Sequence, residues 1–112
     1  MYIAIRRLKL KPGLLEEAIG RIEDEFVPLI STMPGFVDYI VMQAGEEEGV
    51  TISVFEMQEQ AEESNRRAAE WVSQNLAPLA AGPHEIVVVG DIQFHKGKES
   101  KGEDLSSKRN TV

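Results

Sequence analysis

The chain has 112 residues, 42% of them hydrophobic, with 12 basic and 19 acidic side chains and a net charge of −7. That length suggests one domain with a small core. The absence of cysteine excludes disulfides and thiolate metal sites, and two histidines, His84 and His95, cannot supply a histidine-rich metal site.

The N-terminal segment MYIAIRRLKL is rich in isoleucine and lacks a helical period, which predicts a strand from Tyr2 to Leu10. Lys11-Pro12-Gly13 ends it and opens a helix, where a proline near the first turn is tolerated. Leu14, Leu15, Ala18, Ile19, Ile22, Phe26, Leu29 and Ile30 recur at helical spacing, and Pro28 late in that stripe predicts a kink or a frayed end. Met33-Pro34-Gly35 reads as a turn, followed by a strand over 36–44. The charged loop Gly45–Gly49 then leads to a return strand over 50–55. A second helix follows, with Met57, Ala61, Ala68, Val72, Leu76 and Leu79 on its apolar side, and Pro78 and Gly82-Pro83 stop it. The last strand is expected over 85–95.

Residues 1–95 are read as the folded domain, and residues 96–112 as a disordered charged tail with too few apolar side chains to offset its ordering entropy. The two parts differ in charge: 7 basic and 16 acidic residues in 1–95, against 5 and 3 in 96–112. An acidic body argues against nucleic acid and anionic membranes as partners. With no apolar run of about 18 residues, the chain is expected to be a soluble, cytoplasmic protein.

The order β-α-β-β-α-β is the split βαβ, ferredoxin-like pattern: an α+β fold with a four-stranded antiparallel sheet and two helices on one face. The uncovered face of such a sheet is normally polar, so its strands alternate. Here Ile86-Val87-Val88-Val89 is apolar on both faces, and Tyr39–Met42 nearly so. Large exposed apolar faces are rare on soluble monomers. A homodimer packed sheet to sheet is therefore expected.

The stretch SNRRAAEWVSQN at 64–75 holds the only tryptophan. At about 100° per residue, Ala68 and Val72 centre the apolar stripe. Trp71 lies on one flank with Ser64 and Asn75, and Asn65 lies on the other. Trp71 thus faces the sheet, either as a core aromatic or as the apolar wall of a pocket whose polar groups are Ser64 and Asn75. Arg6 and Arg7 are adjacent on a strand and point to opposite faces. One of them is buried and needs a carboxylate, for which Asp91 and Glu56 are expected, or it offers a positive contact to a phenolate or carboxylate ligand. His95, at the end of the last strand, is either a surface residue or a base. Tyr2 and Tyr39 are candidate phenol donors. The sequence assembles no Ser/His/Asp arrangement or paired carboxylates, and its glycines mark turns, not a phosphate loop.

Five segments in this order carry a family likeness: IRRLKLKPG at 5–13, MPGFVDYIVM at 33–42, TISVFE at 51–56, AEESNRRAAEWVSQNLAPL at 61–79 and GDIQFHK at 90–96. Together they resemble the antibiotic biosynthesis monooxygenase-like family of the dimeric α/β-barrel superfamily. The resemblance implies a homodimeric barrel and a small aromatic ligand between helices and sheet. It also implies a monooxygenase that works without metal, flavin or other cofactor. Trp71 would be the wall, Asn65 or Asn75 and Arg6 or Arg7 would hold substrate oxygens, and His95 would be the base. Haem-degrading relatives use an asparagine on the first strand and a histidine after the tryptophan helix. The first strand here has no asparagine, and His84, beyond Gly82-Pro83, does not match the ligand position. The rival expectation is a non-catalytic dimer that binds a small ligand or serves a stress or regulatory role.

Overall fold

The computed structural model describes residues 1–98. Its order is β1 (Tyr2–Lys9), α1 (Leu15–Arg21), a π-helical segment (Ile22–Phe26), α2 (Val27–Ile30), β2 (Phe36–Gln43), β3 (Glu48–Phe55), α3 (Gln58–Asn75), a 3-10 turn (Ala77–Leu79) and β4 (Glu85–Asp91). The strands form one antiparallel sheet in the order β2-β3-β1-β4. The helices cover a single face of it. This is the ferredoxin-like α+β fold expected from the sequence. The expectation for the 96–112 tail lies, from residue 99 onward, outside the described residues.

Strand alternation decides what each face holds. In the central strand β1, Ala4, Arg6 and Leu8 are buried under the helices, and Arg7 is exposed on the other side. Leu8, Leu15, Phe26, Ile30, Phe55, Leu76 and Leu79 form the core between the layers. On the uncovered face the register aligns Ile40, Ile52, Ile5 and Val88 in one row across all four strands. Met42 and Val50 extend the apolar surface beside it. Ile40 and Val88 are each 46% exposed. The exposed apolar sheet inferred from poor alternation is therefore present.

Two elements differ from expectation. The first helix is irregular before Pro28, not at it. Pro28 lacks an N–H, and its ring would crowd the carbonyl of Asp24, four residues earlier. The chain responds with a wide π turn over Ile22–Phe26, in which Val27 N–H reaches Ile22 O, and Pro28 then sits in the first turn of α2. The last strand ends at Asp91, four residues short of His95.

The turn into β2 depends on Gly35, whose φ is +78°. The Gly35 carbonyl accepts Glu56 N–H at 2.9 Å. A Cβ at this position would overlap the carboxamide of Gln60, whose Oε1 accepts Met57 N–H at 3.0 Å and closes the start of α3. Gln60 can swing away only by losing that bond, and the left-handed backbone disfavours a side chain in any case. Gly35→Ala is expected to lower the unfolding free energy by about 1–2 kcal/mol from the backbone alone, measured by urea denaturation. An unchanged midpoint would show that the turn relaxes freely.

Candidate functional site

Arg6 is the largest fully buried side chain among the described residues. Its position in the middle of the central strand places the guanidinium under α3. Nε donates to Thr51 Oγ1 at 3.1 Å. Nη1 donates to Ser53 Oγ at 3.1 Å, Ser64 Oγ at 3.3 Å and Asn65 Oδ1 at 2.7 Å. Thr51 and Ser53 are two residues apart on β3, so both face the helices; Ser64 and Asn65 come from α3. Ser64 also donates to Ala61 O, at 2.6 Å. The Tyr39 ring centroid is 6.0 Å from the guanidinium carbon.

All of these partners are neutral. The carboxylate expected for the buried arginine is absent: Asp91 lies by the chain's amino terminus, 3.6 Å away, and Glu56 is exposed and forms no ion pair among the described residues. The register explains this, because Asp91 sits opposite Tyr2 at the far end of β1. Neutral oxygens satisfy the Nε and Nη1 groups but leave the charge uncompensated, and Nη2 has no hydrogen-bond partner among the described residues. Burial accordingly pulls the Arg6 pKa down from its ordinary value, opposed by Tyr39. Burial also pushes the Tyr39 phenol upward, with the Arg6 charge acting against it, so Tyr39 is a neutral phenol at physiological pH.

Arg6 borders a cavity between the helices and the sheet. Its other walls include Leu8, Leu15, Ile22, Phe26, Val72 and Leu76, and its polar residues are Arg6, Arg7, Tyr39, Thr51 and His84. Phe26 links two further aromatics: its ring centroid lies 5.4 Å from that of Trp71 and 5.9 Å from that of Tyr39, both tilted. The cavity and its mouth enclose about 490 Å³, of which about 30 Å³ admits the centre of a water molecule. That is room for one or two waters. A ring could enter only if a wall moved.

The residues singled out from sequence divide into three groups. Trp71, Arg6 and Arg7 all line the cavity. Ser64 and Asn65 lie behind Arg6 and hold it, as the wheel did not suggest when it placed them on opposite flanks. Asn75 donates to Trp71 O at 2.9 Å, and its own carbonyl accepts from Arg21, so it finishes α3 and does not line the cavity. Arg7 directs its guanidinium to Glu85, 3.5 Å away on the exposed face. His95 is exposed beyond β4 and does not line the cavity, because the strand expected to carry it stops early. His84, in contrast, does line it; burial and then the Arg6 charge depress its pKa, so it is a neutral imidazole at pH 7. The only signal that could have found it is its place just before β4, opposite the end of β1 that carries Arg6. Among the described residues, no three His, Asp or Glu side chains gather closely enough to hold a metal ion.

An uncompensated buried charge does little for folding, so the residue that holds it should matter more to stability than the charge itself. Arg6→Met keeps the volume and removes the desolvated cation. Asn65→Ala removes the shortest bond to that cation and is expected to cost about 1.5–3 kcal/mol. Chemical denaturation should rank Arg6→Met as the more stable of the two variants. The reverse order would mean that Arg6 is a structural keystone.

A sequence model of the family described as "antibiotic biosynthesis monooxygenase" matches residues 1–69, more than half of the chain. No curated protein matches the sequence. Solved structures share the fold. A protein of unknown function from Nitrosomonas europaea is similar at 19% identity, with 88% of this chain and 94% of that chain covered and a TM-score of 0.69. A monooxygenase from the ActVA-Orf6 gene of Streptomyces coelicolor, solved with nanaomycin D, is similar at 14% identity, with 88% and 92% covered and a TM-score of 0.69. SnoaB, a cofactor-independent oxygenase from Streptomyces nogalater, is similar at 12% identity, with 87% and 97% covered and a TM-score of 0.63. The family resemblance read from the five segments is thus borne out: this chain belongs to the antibiotic biosynthesis monooxygenase family.

Proposed function

We propose that the protein is a cofactor-independent monooxygenase that takes a small aromatic or phenolic substrate into the cavity between Trp71 and Arg6. The observation that carries this reading is the unpartnered Nη2 of the buried Arg6, a cationic residue that borders a largely apolar, aromatic-walled space. The walls suit an aromatic ring in chemistry, and an anionic ring oxygen supplies the partner the protein lacks. Similarity to a cofactor-independent oxygenase and to a monooxygenase solved with nanaomycin D supports the same chemistry.

In an anthrone-type substrate, the CH₂ group between two rings loses a proton, and the charge spreads to the ring oxygen, where Arg6 receives it. The carbanion passes one electron to O₂, and the resulting radical and superoxide combine. The peroxide takes up a proton and loses water, leaving a carbonyl. The balance is CH₂ + O₂ → C=O + H₂O. The protein contributes orientation, a dry cavity and a fixed positive charge where negative charge develops. Admission of the ring requires one wall to yield. Ile22 and Phe26 belong to the π-helical segment, the least regular part of the helical layer, and π turns often mark functional positions.

Oxygen uptake with dihydroxyanthrone tests this reading. One quinone should form per O₂ consumed, above the rate in buffer. Arg6→Met should lower kcat/KM by roughly 10²-fold, the usual effect of losing one such donor. Trp71→Ala should lower it by about tenfold, as expected for a lost stretch of apolar wall, and Asn75→Ala should leave it unchanged. Saturable binding of the probe with no uptake above buffer would favour the rival, a non-catalytic ligand-binding protein. The narrowness of the cavity favours that rival.

The uncovered sheet face supports a homodimer. A second copy turned about a two-fold axis would cover the row Ile40, Ile52, Ile5 and Val88 with the same row. Light scattering should give twice the chain mass of 12.5 kDa, and Ile52→Lys should give a monomer. A wild-type monomer at micromolar concentration would contradict the dimer.

A further inference from the structure

We propose that His84 is the base that removes the substrate's proton and hands it to solvent. This rests on the reading of the cavity as an oxygenase site. His84 follows Pro83 and immediately precedes β4, so the strand fixes its backbone. Its side chain borders two spaces. Inward it lines the cavity with Arg6, Tyr39 and Thr51. Outward it lines a wider surface groove formed by small residues, Ala69, Ala77, Ala80, Ala81 and Gly82. Leu8 and Val72 also border both spaces, but they are apolar. Of the side chains common to the cavity and the groove, His84 alone can accept and release a proton near neutral pH.

The charges around it suit the task. From β1 come Arg6 and Arg7, from β2 Tyr39, and from its own strand Glu85, which is turned to Arg7. Helix α3 offers only uncharged Ala68, Ala69, Trp71, Val72 and Ser73, and Leu76 follows at its end. Burial and the nearby Arg6 cation hold the imidazole neutral, with a lone pair available. When a substrate brings an oxygen to Arg6, the charge that forms there cancels the cation. The imidazolium is then no longer opposed, and a nearby anion favours it. Arg6 and the substrate thus switch His84 from a weak base to a stronger one during the step. In that step the C–H bond breaks, its electron pair stays on the substrate and delocalises to the oxygen at Arg6, and an imidazole nitrogen gains the proton. The imidazolium then releases it to water in the groove.

The experiment uses dihydroxyanthrone without oxygen, so that the bound probe accumulates. Trp71 fluorescence reports binding, and the probe's absorbance distinguishes neutral from anionic forms. Wild-type protein should quench on binding and ionise the probe at least one pH unit below its midpoint in free solution. His84→Gln should still bind, with the midpoint raised by about one pH unit, a tenfold lower proton concentration, relative to wild type. In His84→Ala, added imidazole should reach the cavity through the groove and restore ionisation. If both variants bind and ionise the probe as wild type does, the assignment of His84 falls while the oxygenase reading stands. If wild-type protein does not bind the probe, the cavity reading fails and takes His84 with it.

Discussion

A buried guanidinium without a counter-ion is the constraint on which the site depends. Arg6 occupies the middle of the central strand, so it cannot escape to solvent without breaking the sheet. Its charge is met by oxygens of Thr51 and Ser53 on β3 and of Ser64 and Asn65 on α3. Those hydrogen bonds set where α3 lies across the strands. They also explain two small polar residues, Ser53 and Ser64, in the interior, where they bond to each other at 3.1 Å. A carboxylate would neutralise the site. Neutral oxygens position the cation and leave its charge free to act on whatever enters the cavity.

The rest of the site follows from that charge. It opposes protonation of His84, and it faces the ring of Tyr39. The aromatic chain Tyr39–Phe26–Trp71 runs from beside the guanidinium along the cavity wall to α3. One link of that chain, Phe26, ends the π-helical segment that Pro28 forces on the first helix. A backbone irregularity with a steric cause is thus placed at the wall of the cavity. The narrow space and the irregular wall beside it fit a site that opens for its ligand.

Much of the fold was legible in the sequence because it depends on local signals. Strands were marked by isoleucine- and valine-rich runs, helices by apolar spacing, and turns by Pro-Gly pairs. The exposed apolar sheet was readable from poor alternation in β2 and β4. The site was only partly legible. Adjacent Arg6 and Arg7 had to face opposite ways, but which one was buried, and with what partner, depended on register. Asp91 was a reasonable counter-ion on a strand of unknown offset; in the fold it sits four positions too far along β1. The helical wheel treated α3 as an isolated cylinder, so it separated Ser64 from Asn65, although one arginine bonds to both. His84 left no periodic trace, since it belongs to neither helix nor strand. His95 was favoured because the apolar run before it suggested a longer β4.

The central claim is that Arg6 receives an anionic oxygen in the cavity. It is tested most directly by comparing two probes of the same shape through quenching of Trp71, the only tryptophan in the chain. One is a hydroxyanthrone, and the other its methyl ether, which cannot ionise at that oxygen. The hydroxyl probe should bind at least about tenfold more tightly, the scale of one charge-assisted hydrogen bond, and this preference should vanish in Arg6→Met. Equal affinities for the two probes in the wild-type protein would contradict the claim.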